Sequence, residues 1–123
     1  MAIQMKLGKE YNGLGIDLID AYWRIENVGT KIDDDDKIKI GFNFNCYVNK
    51  DSCLKTQNME LVQRLNFGGS VSSHYDGKVY SFFGIYLVDN VFPNGTPNSR
   101  NEQLSVLYEF LKTELELENY TNI

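Results

Sequence analysis

Polar and apolar residues alternate strictly between residues 37 and 49, and this is the clearest pattern in the chain. The apolar positions are Ile38, Ile40, Phe42, Phe44, Cys46 and Val48. The positions between them are Lys37, Lys39, Gly41, Asn43, Asn45, Tyr47 and Asn49. This period of two predicts a β-strand with one buried and one solvated face, because successive side chains of a strand point to opposite sides.

Two further segments are predicted to be strands. In residues 18–28, one face carries Ala21, Trp23 and Ile25, and the opposite face carries Tyr22, Arg24 and Glu26. Residues 78–88, KVYSFFGIYLV, are rich in β-branched and aromatic residues, which favour strands. Both faces of this segment are apolar, so we expect it to lie centrally in a sheet or at an interface.

One amphipathic helix is predicted near the end of the chain. Ser99 and Glu102 form a capping-box pattern, in which the serine side chain accepts a hydrogen bond from the N3 amide. Apolar residues then recur at helical spacing, namely Leu104, Leu107, Tyr108, Leu111 and Leu115. We expect the helix to continue to about residue 118.

The remaining segments are predicted mostly to be loops. Residues 8–15 and 50–58 are rich in glycine or polar residues, and residues 75–78 contain an Asp-Gly turn. Residues 59–67 fit a helix and a short strand nearly equally well. Together the elements predict a single α+β domain spanning residues 1–123, with an antiparallel, sandwich- or barrel-like sheet and one C-terminal amphipathic helix packed on it.

Residues 33–36 are four consecutive aspartates between two predicted strands. Adjacent residues of an extended segment point in opposite directions, so four such carboxylates do not converge on one metal ion. With Lys37 the run matches a protease cleavage tag, but a tag belongs at a terminus. We interpret the run as a solvated hairpin tip, and we expect replacement of all four aspartates by serine to leave fold and function largely intact.

Composition and charge exclude some functional classes. The net charge is −5, which argues against nucleic-acid binding because phosphate recognition needs clustered Lys and Arg. The first residues lack the apolar core of a signal peptide, and the apolar stretch at 79–92 is too short and too polar to span a membrane. We therefore expect a cytosolic site of synthesis, with no nucleic-acid or membrane partner.

We find no catalytic, metal or cofactor site in the sequence. Cys46 and Cys53 with a single histidine, His74, cannot complete a four-ligand zinc site, and reduced thiols are expected in a cytosol. His74 lies beside Ser72, Ser73 and Asp76, but residues so close in sequence cannot adopt the geometry of a catalytic triad. A non-enzymatic protein without cofactors is therefore expected.

Aromatic residues make up 13% of the chain, and several alternate with polar residues on the predicted strands. The candidate protein-contact residues are Tyr22, Arg24, Tyr47, Tyr75, Tyr80 and Tyr86. Tyrosine suits contact surfaces because it buries a large area at low entropic cost. Sugar binding is a competing use of such residues, and several of them could simply cover the sheet beneath the helix.

Two segments resemble a known group of proteins. AYWRIENV at residues 21–28 and LYEFLKTELELENYTNI at residues 107–123 resemble a strand and the terminal helix of small tail-associated or virion structural proteins of phages of Gram-positive bacteria. The resemblance implies a structural component of the tail or baseplate that is assembled in the host cytoplasm. Its partners would be other virion proteins and further copies of itself. The alternative is a small phage-encoded binding module for a glycan or a host protein, such as an inhibitor of a host defence protein.

Overall fold

The computed structural model describes residues 1–58, 61–66, 69–74 and 76–123, with the backbone alone for 61–66 and 69–74. Its strands are β1 (Ile3–Leu7), β2 (Leu18–Ile32), β3 (Ile38–Tyr47), β4 (Leu61–Asn66), β5 (Gly69–His74), β6 (Lys78–Leu87) and β7 (Thr121–Asn122). Its helices are α1 (Lys9–Asn12), α2 (Lys50–Gln57), α3 (Val88–Val91) and α4 (Arg100–Glu114).

Five of the strands form one antiparallel sheet in the order β6-β3-β2-β1-β7. Strands β4 and β5 pair separately as a two-stranded hairpin. This arrangement confirms the predicted α+β class with a C-terminal helix. The five-stranded sheet is open rather than barrel-like, since β6 and β7 occupy its two edges and do not pair with each other.

The alternation in β3 is confirmed where the strand passes through the middle of the sheet. Its inner face, the face that packs under α4, buries four residues of the predicted apolar set: Ile40, Phe42, Phe44 and Cys46. The ends differ, because Ile38 remains 53% exposed at the start of β3 and Val48 lies beyond its last residue. Burial therefore follows the alternation only where neighbouring strands and α4 cover it.

Helix α4 closes the inner face of the sheet. The Ser99 side chain accepts a hydrogen bond from the Glu102 amide at 3.0 Å, which confirms the predicted N-cap. Leu107, Tyr108 and Leu111 then join the core with the inner residues of β2 and β3. The helix ends at Glu114, a turn before the predicted position, and Glu116 has a left-handed φ of 52°.

The inner face is packed so tightly that one strand position requires glycine. A Cβ atom at Gly84 of β6 would lie 2.8 Å from the Phe42 ring and 2.9 Å from the Tyr86 ring. Such distances are below van der Waals contact, so a larger residue would displace an aromatic ring. Gly84 therefore allows the Phe42 ring to lie against the β6 backbone.

Three predictions about individual elements need revision. Residues 50–57 form α2 rather than a loop, with the Asn49 side chain accepting a hydrogen bond from the Ser52 amide at 2.9 Å. Residues 9–12 of the first predicted loop form the short helix α1. Strand β6 is confirmed at 78–87; of the two positions expected for it, central or at an interface, the central one is wrong, because β6 lies at the edge of the sheet. One apolar face of β6 packs in the core, and the other, the outer face, is exposed.

Candidate functional site

The candidate contact residue Tyr47 is buried, and the expectation that it forms part of a contact surface is corrected. None of its surface is exposed. Its hydroxyl donates a hydrogen bond to the Glu26 carboxylate. The pKa of Tyr47 is raised mainly by burial and, to a smaller extent, by this hydrogen bond. The buried Cys53 of α2 lies close enough to add to this effect. Tyr47 thus belongs to the small core between α2 and the outer face of the sheet.

Tyr80 and Tyr86 lie on the inner face of β6 and are half-buried there. The Tyr80 ring meets Trp23 edge to face with centroids 5.8 Å apart, and Tyr86 meets Phe110 of α4 in the same way at 5.0 Å. These contacts stabilise the core. Both tyrosines therefore cover the sheet, the alternative role that the sequence left open. The candidate Tyr75 lies outside the described residues.

Tyr22 and Arg24 lie on the outer face of β2 and are partly exposed. Arg24 Nη1 donates a hydrogen bond to Gln57 Oε1 at 2.8 Å, and Gln57 Nε2 donates to Glu26 Oε2 at 3.1 Å. Partial burial raises the pKa of Tyr22. Gln57 of α2 thus holds Arg24 and Glu26 by polar contacts. Of the five candidates that the structure describes, Tyr22 and Arg24 are the two that remain partly exposed on the outer face.

A notch opens in the sheet beyond the first residue of β1, where the longer strand β2 continues past Trp23. Strand β1 pairs with β2 only between Leu18 and Trp23, whereas β2 continues to Ile32 with β3 on its other side. A cavity of about 240 Å³ lies there. We name this feature the β2 notch and define it by the lining residues Arg24, Glu26, Val28, Arg100, Leu104 and Tyr108.

The Tyr108 hydroxyl closes the inner end of the β2 notch. The Ile25 amide donates to this hydroxyl at 2.8 Å, and the hydroxyl donates to the Met1 carbonyl at 3.1 Å. Burial, the larger influence, raises the pKa of Tyr108 to about 12. The Tyr108 side chain of α4 thus supplies the hydrogen-bond acceptor that a neighbouring strand would offer to the Ile25 amide at the edge of β2.

An apolar patch lies on the outer face at the β6 edge. Phe83 is 65% exposed and Ile85 is 39% exposed. The Phe83 ring lies over Gly41, and a shallow cavity of about 260 Å³ extends from it to Gly29. We name Phe83, Ile85, Gly41 and Gly29 the β6 patch. Sequence reasoning selected the tyrosines of this strand and missed Phe83, although the apolar character of both faces was the available signal.

Residues 33–36, the acidic tip, connect β2 to β3 as predicted. The Asp33 amide donates to the Lys37 carbonyl at 2.9 Å, and the Asp36 amide donates to the Asp33 carbonyl at 2.9 Å. Asp33 forms an ion pair with Lys39, and a hydrogen bond from that lysine lowers the pKa of Asp33. Asp36 has a φ of 59°, a left-handed conformation that Asp and Asn tolerate.

Both cysteines, Cys46 and Cys53, are free thiols buried in the protein. Desolvation raises the pKa of Cys46 to about 12 and also raises the pKa of Cys53. Because the thiolate is the reactive form, both groups are held as inert thiols. Cys46 therefore packs as a small core residue, as its position in the alternation predicted.

Among the side chains of residues 1–58 and 76–123, no group of three or more His, Cys, Asp or Glu is placed to hold a metal ion. None of the helices in the described ranges has the length and apolar character needed to cross a membrane. Comparison of the chain with protein-family models, with curated proteins and with solved structures gives no match.

Proposed function

We propose that this chain is a structural or assembly component of a bacteriophage particle, in its tail or baseplate, that acts by packing against other proteins without catalysis. The β6 patch is the observation that carries the proposal. It places two large apolar side chains, Phe83 and Ile85, on the exposed face of an edge strand. Edge strands offer unpaired backbone groups, and exposed apolar patches are typical of surfaces that contact another protein.

The two segments that carry the phage resemblance are neighbours in the fold, which further supports this proposal. Residues 21–28 belong to β2, and residues 107–123 include the second half of α4 and β7. The hydrogen bond between the Ile25 amide and the Tyr108 hydroxyl joins the two segments directly. The resemblance therefore concerns one connected part of the structure.

The experiment is to ask whether the β6 patch carries the protein into particles. Purified particles of the phage that encodes the chain are expected to contain it. A folded Phe83→Ser/Ile85→Ser variant supplied in trans is expected to be incorporated at least about tenfold less, because a contact of this kind contributes more than about 1.4 kcal/mol. Incorporation is measured by quantitative mass spectrometry of gradient-purified particles.

Ile19→Ser is the matched control, because Ile19 is an apolar strand residue with 64% exposure and lies away from the β6 patch. It should be incorporated like the unmodified chain. Absence of the protein from purified particles would overturn the structural role and favour the alternative of a small binding module. Equal incorporation of the Phe83→Ser/Ile85→Ser variant would overturn the role of the β6 patch.

A further inference from the structure

The C-terminal half of β2 extends beyond the part of the strand that pairs with β1. Along residues 24–32, the edge of β2 opposite β3 pairs with no other strand in the part of the chain that the structure describes. Asn27, with a φ of 55°, lies in a bulge where the register with β3 shifts. An unpaired strand edge of this kind can receive a segment of another chain.

The β2 notch is a positively charged site in an acidic protein. Arg24 and Arg100 both line it, whereas the whole chain has a net charge of −5. The one carboxylate of the notch, Glu26, is already bonded by Tyr47 and Gln57. Arg100 forms no ion pair with a side chain of residues 1–58 or 76–123. The notch can therefore accept carboxylates from a partner.

The size and lining of the notch suit a protein segment. Its volume of about 240 Å³ is below the roughly 300–1,000 Å³ typical of small-molecule pockets. A second, narrow cavity of about 30 Å³ adjoins it and shares Val28, Arg100 and Leu104. The expected occupant thus combines carboxylates, which face the arginines, with an aliphatic side chain, which covers Val28 and Leu104.

The acidic tip has this combination. Within the described side chains, Asp34 and Asp36 form no ion pair, whereas Asp33 and Asp35 lie within ion-pair distance of lysines. Ile32 and Ile38 face each other across the base of the tip and are 71% and 53% exposed. Two carboxylates without partners and two exposed isoleucines thus lie at the end of one hairpin.

We propose that the acidic tip of one copy of this chain docks into the β2 notch of the next copy. This rests on the proposed function and deepens it, because it supplies the contact between copies while the β6 patch contacts other particle proteins. The two surfaces differ, so the contact is head to tail. Such contacts produce closed rings when the rotation closes and open filaments when it does not.

The test uses purified chain carrying Phe83→Ser/Ile85→Ser throughout, so that the β6 patch does not contribute. The notch variant is Arg24→Glu/Arg100→Glu. The tip variant is Asp34→Asn/Asp36→Asn, which removes the two unpaired carboxylates without adding a charge that the notch variant could bind, and keeps a residue that tolerates the left-handed φ of position 36. Sedimentation velocity over micromolar to millimolar concentrations measures assembly of the parent chain, of each variant and of their equimolar mixture.

The parent chain is expected to form assemblies larger than dimers, weakened by added salt because charge pairs are screened. Each variant alone should associate at least about tenfold more weakly, because the notch variant brings like charges together and the tip variant removes the carboxylates that face the arginines. The mixture should form a heterodimer and stop there, because one intact notch meets one intact tip and the other two surfaces are mutated. Circular dichroism of each variant checks that it is folded.

Three results would overturn the proposal: a monomeric parent chain over the whole range, unchanged assembly of either folded variant, or a mixture that stays monomeric. None of them bears on particle incorporation of the chain with its natural β6 patch, which tests the proposed function separately. Conversely, absence from particles together with heterodimer formation in the mixture would retain the tip-to-notch contact and overturn the particle role.

Discussion

The two faces of the sheet respond differently to the same change of residue. On the inner face, a Cβ atom at Gly84 would lie 2.8 Å from the Phe42 ring. On the outer face, a Cβ atom at Gly29 would have no atom within 4 Å. The inner face is thus determined by packing at the scale of a methyl group, whereas this part of the outer face is free to evolve as a contact surface.

Strand β3 shows the same difference along a single element. Phe42 and Phe44 have at most 1% of their surface exposed on the inner face. On the outer face, Gly41 leaves space that the Phe83 ring of the next strand covers only in part. Stability therefore depends mainly on one face, and the candidate docking surfaces lie on the other face and at the ends of strands.

Truncation of a core ring should have the largest effect. Phe42→Ala is expected to lower the free energy of unfolding by about 3–5 kcal/mol, because it removes a buried ring and leaves a cavity. Phe83→Ala on the outer face should change it by no more than about 0.5 kcal/mol. Urea denaturation of both variants measures the difference. Equal losses would show that the outer face is packed as tightly as the inner one.

Alkaline pH should destabilise the protein through its buried acidic groups. The pKa of Cys46 is raised to about 12 from 9.0, and the pKa of Tyr108 to about 12 from 10.0, so both stay protonated when the unfolded chain ionises. The contribution of these two groups to the free energy of unfolding is fully present below pH 9 and is lost as the pH rises towards 12. Between the pKa of the unfolded chain and the pKa of the folded protein, each group lowers the free energy of unfolding by up to about 1.4 kcal/mol per pH unit.

Denaturation at pH 8, 9, 10 and 11 measures this dependence. The Cys46→Ala variant provides the control, since it is less stable at every pH but should show a shallower decline between pH 9 and 10, where Cys46 contributes and where the contribution of Cys53 is the same in both proteins. A decline of the same slope in both proteins would contradict the assignment to the inner-face thiol.

The two glycines provide a direct comparison at the scale of one methyl group. Gly84→Ala should lower the free energy of unfolding by about 1–3 kcal/mol, because the new Cβ displaces the Phe42 ring. Gly29→Ala should raise it by about 0.4–1 kcal/mol, since the position has room and the unfolded chain loses freedom. Thermal melts of both variants give the two signs. A stabilising Gly84→Ala would show that the inner face can relax.

Changes in the acidic tip should have the smallest effect on stability. Asp34→Ser/Asp35→Ser/Asp36→Asn keeps the Asp33–Lys39 ion pair and a residue that tolerates the φ of position 36. Its melting temperature should match that of the unmodified chain within error, because the replaced carboxylates are exposed. This triple variant tests the fold part of the expectation that replacing all four aspartates by serine leaves fold and function largely intact, whereas the proposed tip-to-notch contact predicts lost assembly.

The sequence predicted elements well where a periodic pattern coincided with burial. The alternation of β3 and the apolar stripe of α4 both identified core residues, because one face of each element meets the other element. Helix α2 was missed since it buries only Cys53 and has no apolar stripe to reveal it. Its N-cap, Asn49 followed by Ser52, was the available signal.

The site was less predictable than the fold, and the reason lies in the lengths and ends of elements. Tyr47 seemed available for contact, but α2 covers it. Strand β6 was expected at the centre of the sheet or at an interface because both of its faces are apolar, and it forms an edge. Arg100 gave no signal of its own, and it lines the β2 notch only because α4 begins beside residues 24–28 of β2.

By itself, the sequence determined the α+β class, the main strands, the terminal helix with its cap, and the acidic hairpin tip. These features follow from local alternation, helical spacing and turn chemistry, which act within a few residues. Only the tertiary structure decided which apolar face stays open and where a strand lacks its neighbour. The β2 notch exists because β1 begins only at Ile3, opposite Trp23, while β2 continues to Ile32, and such a difference appears only when strands pair.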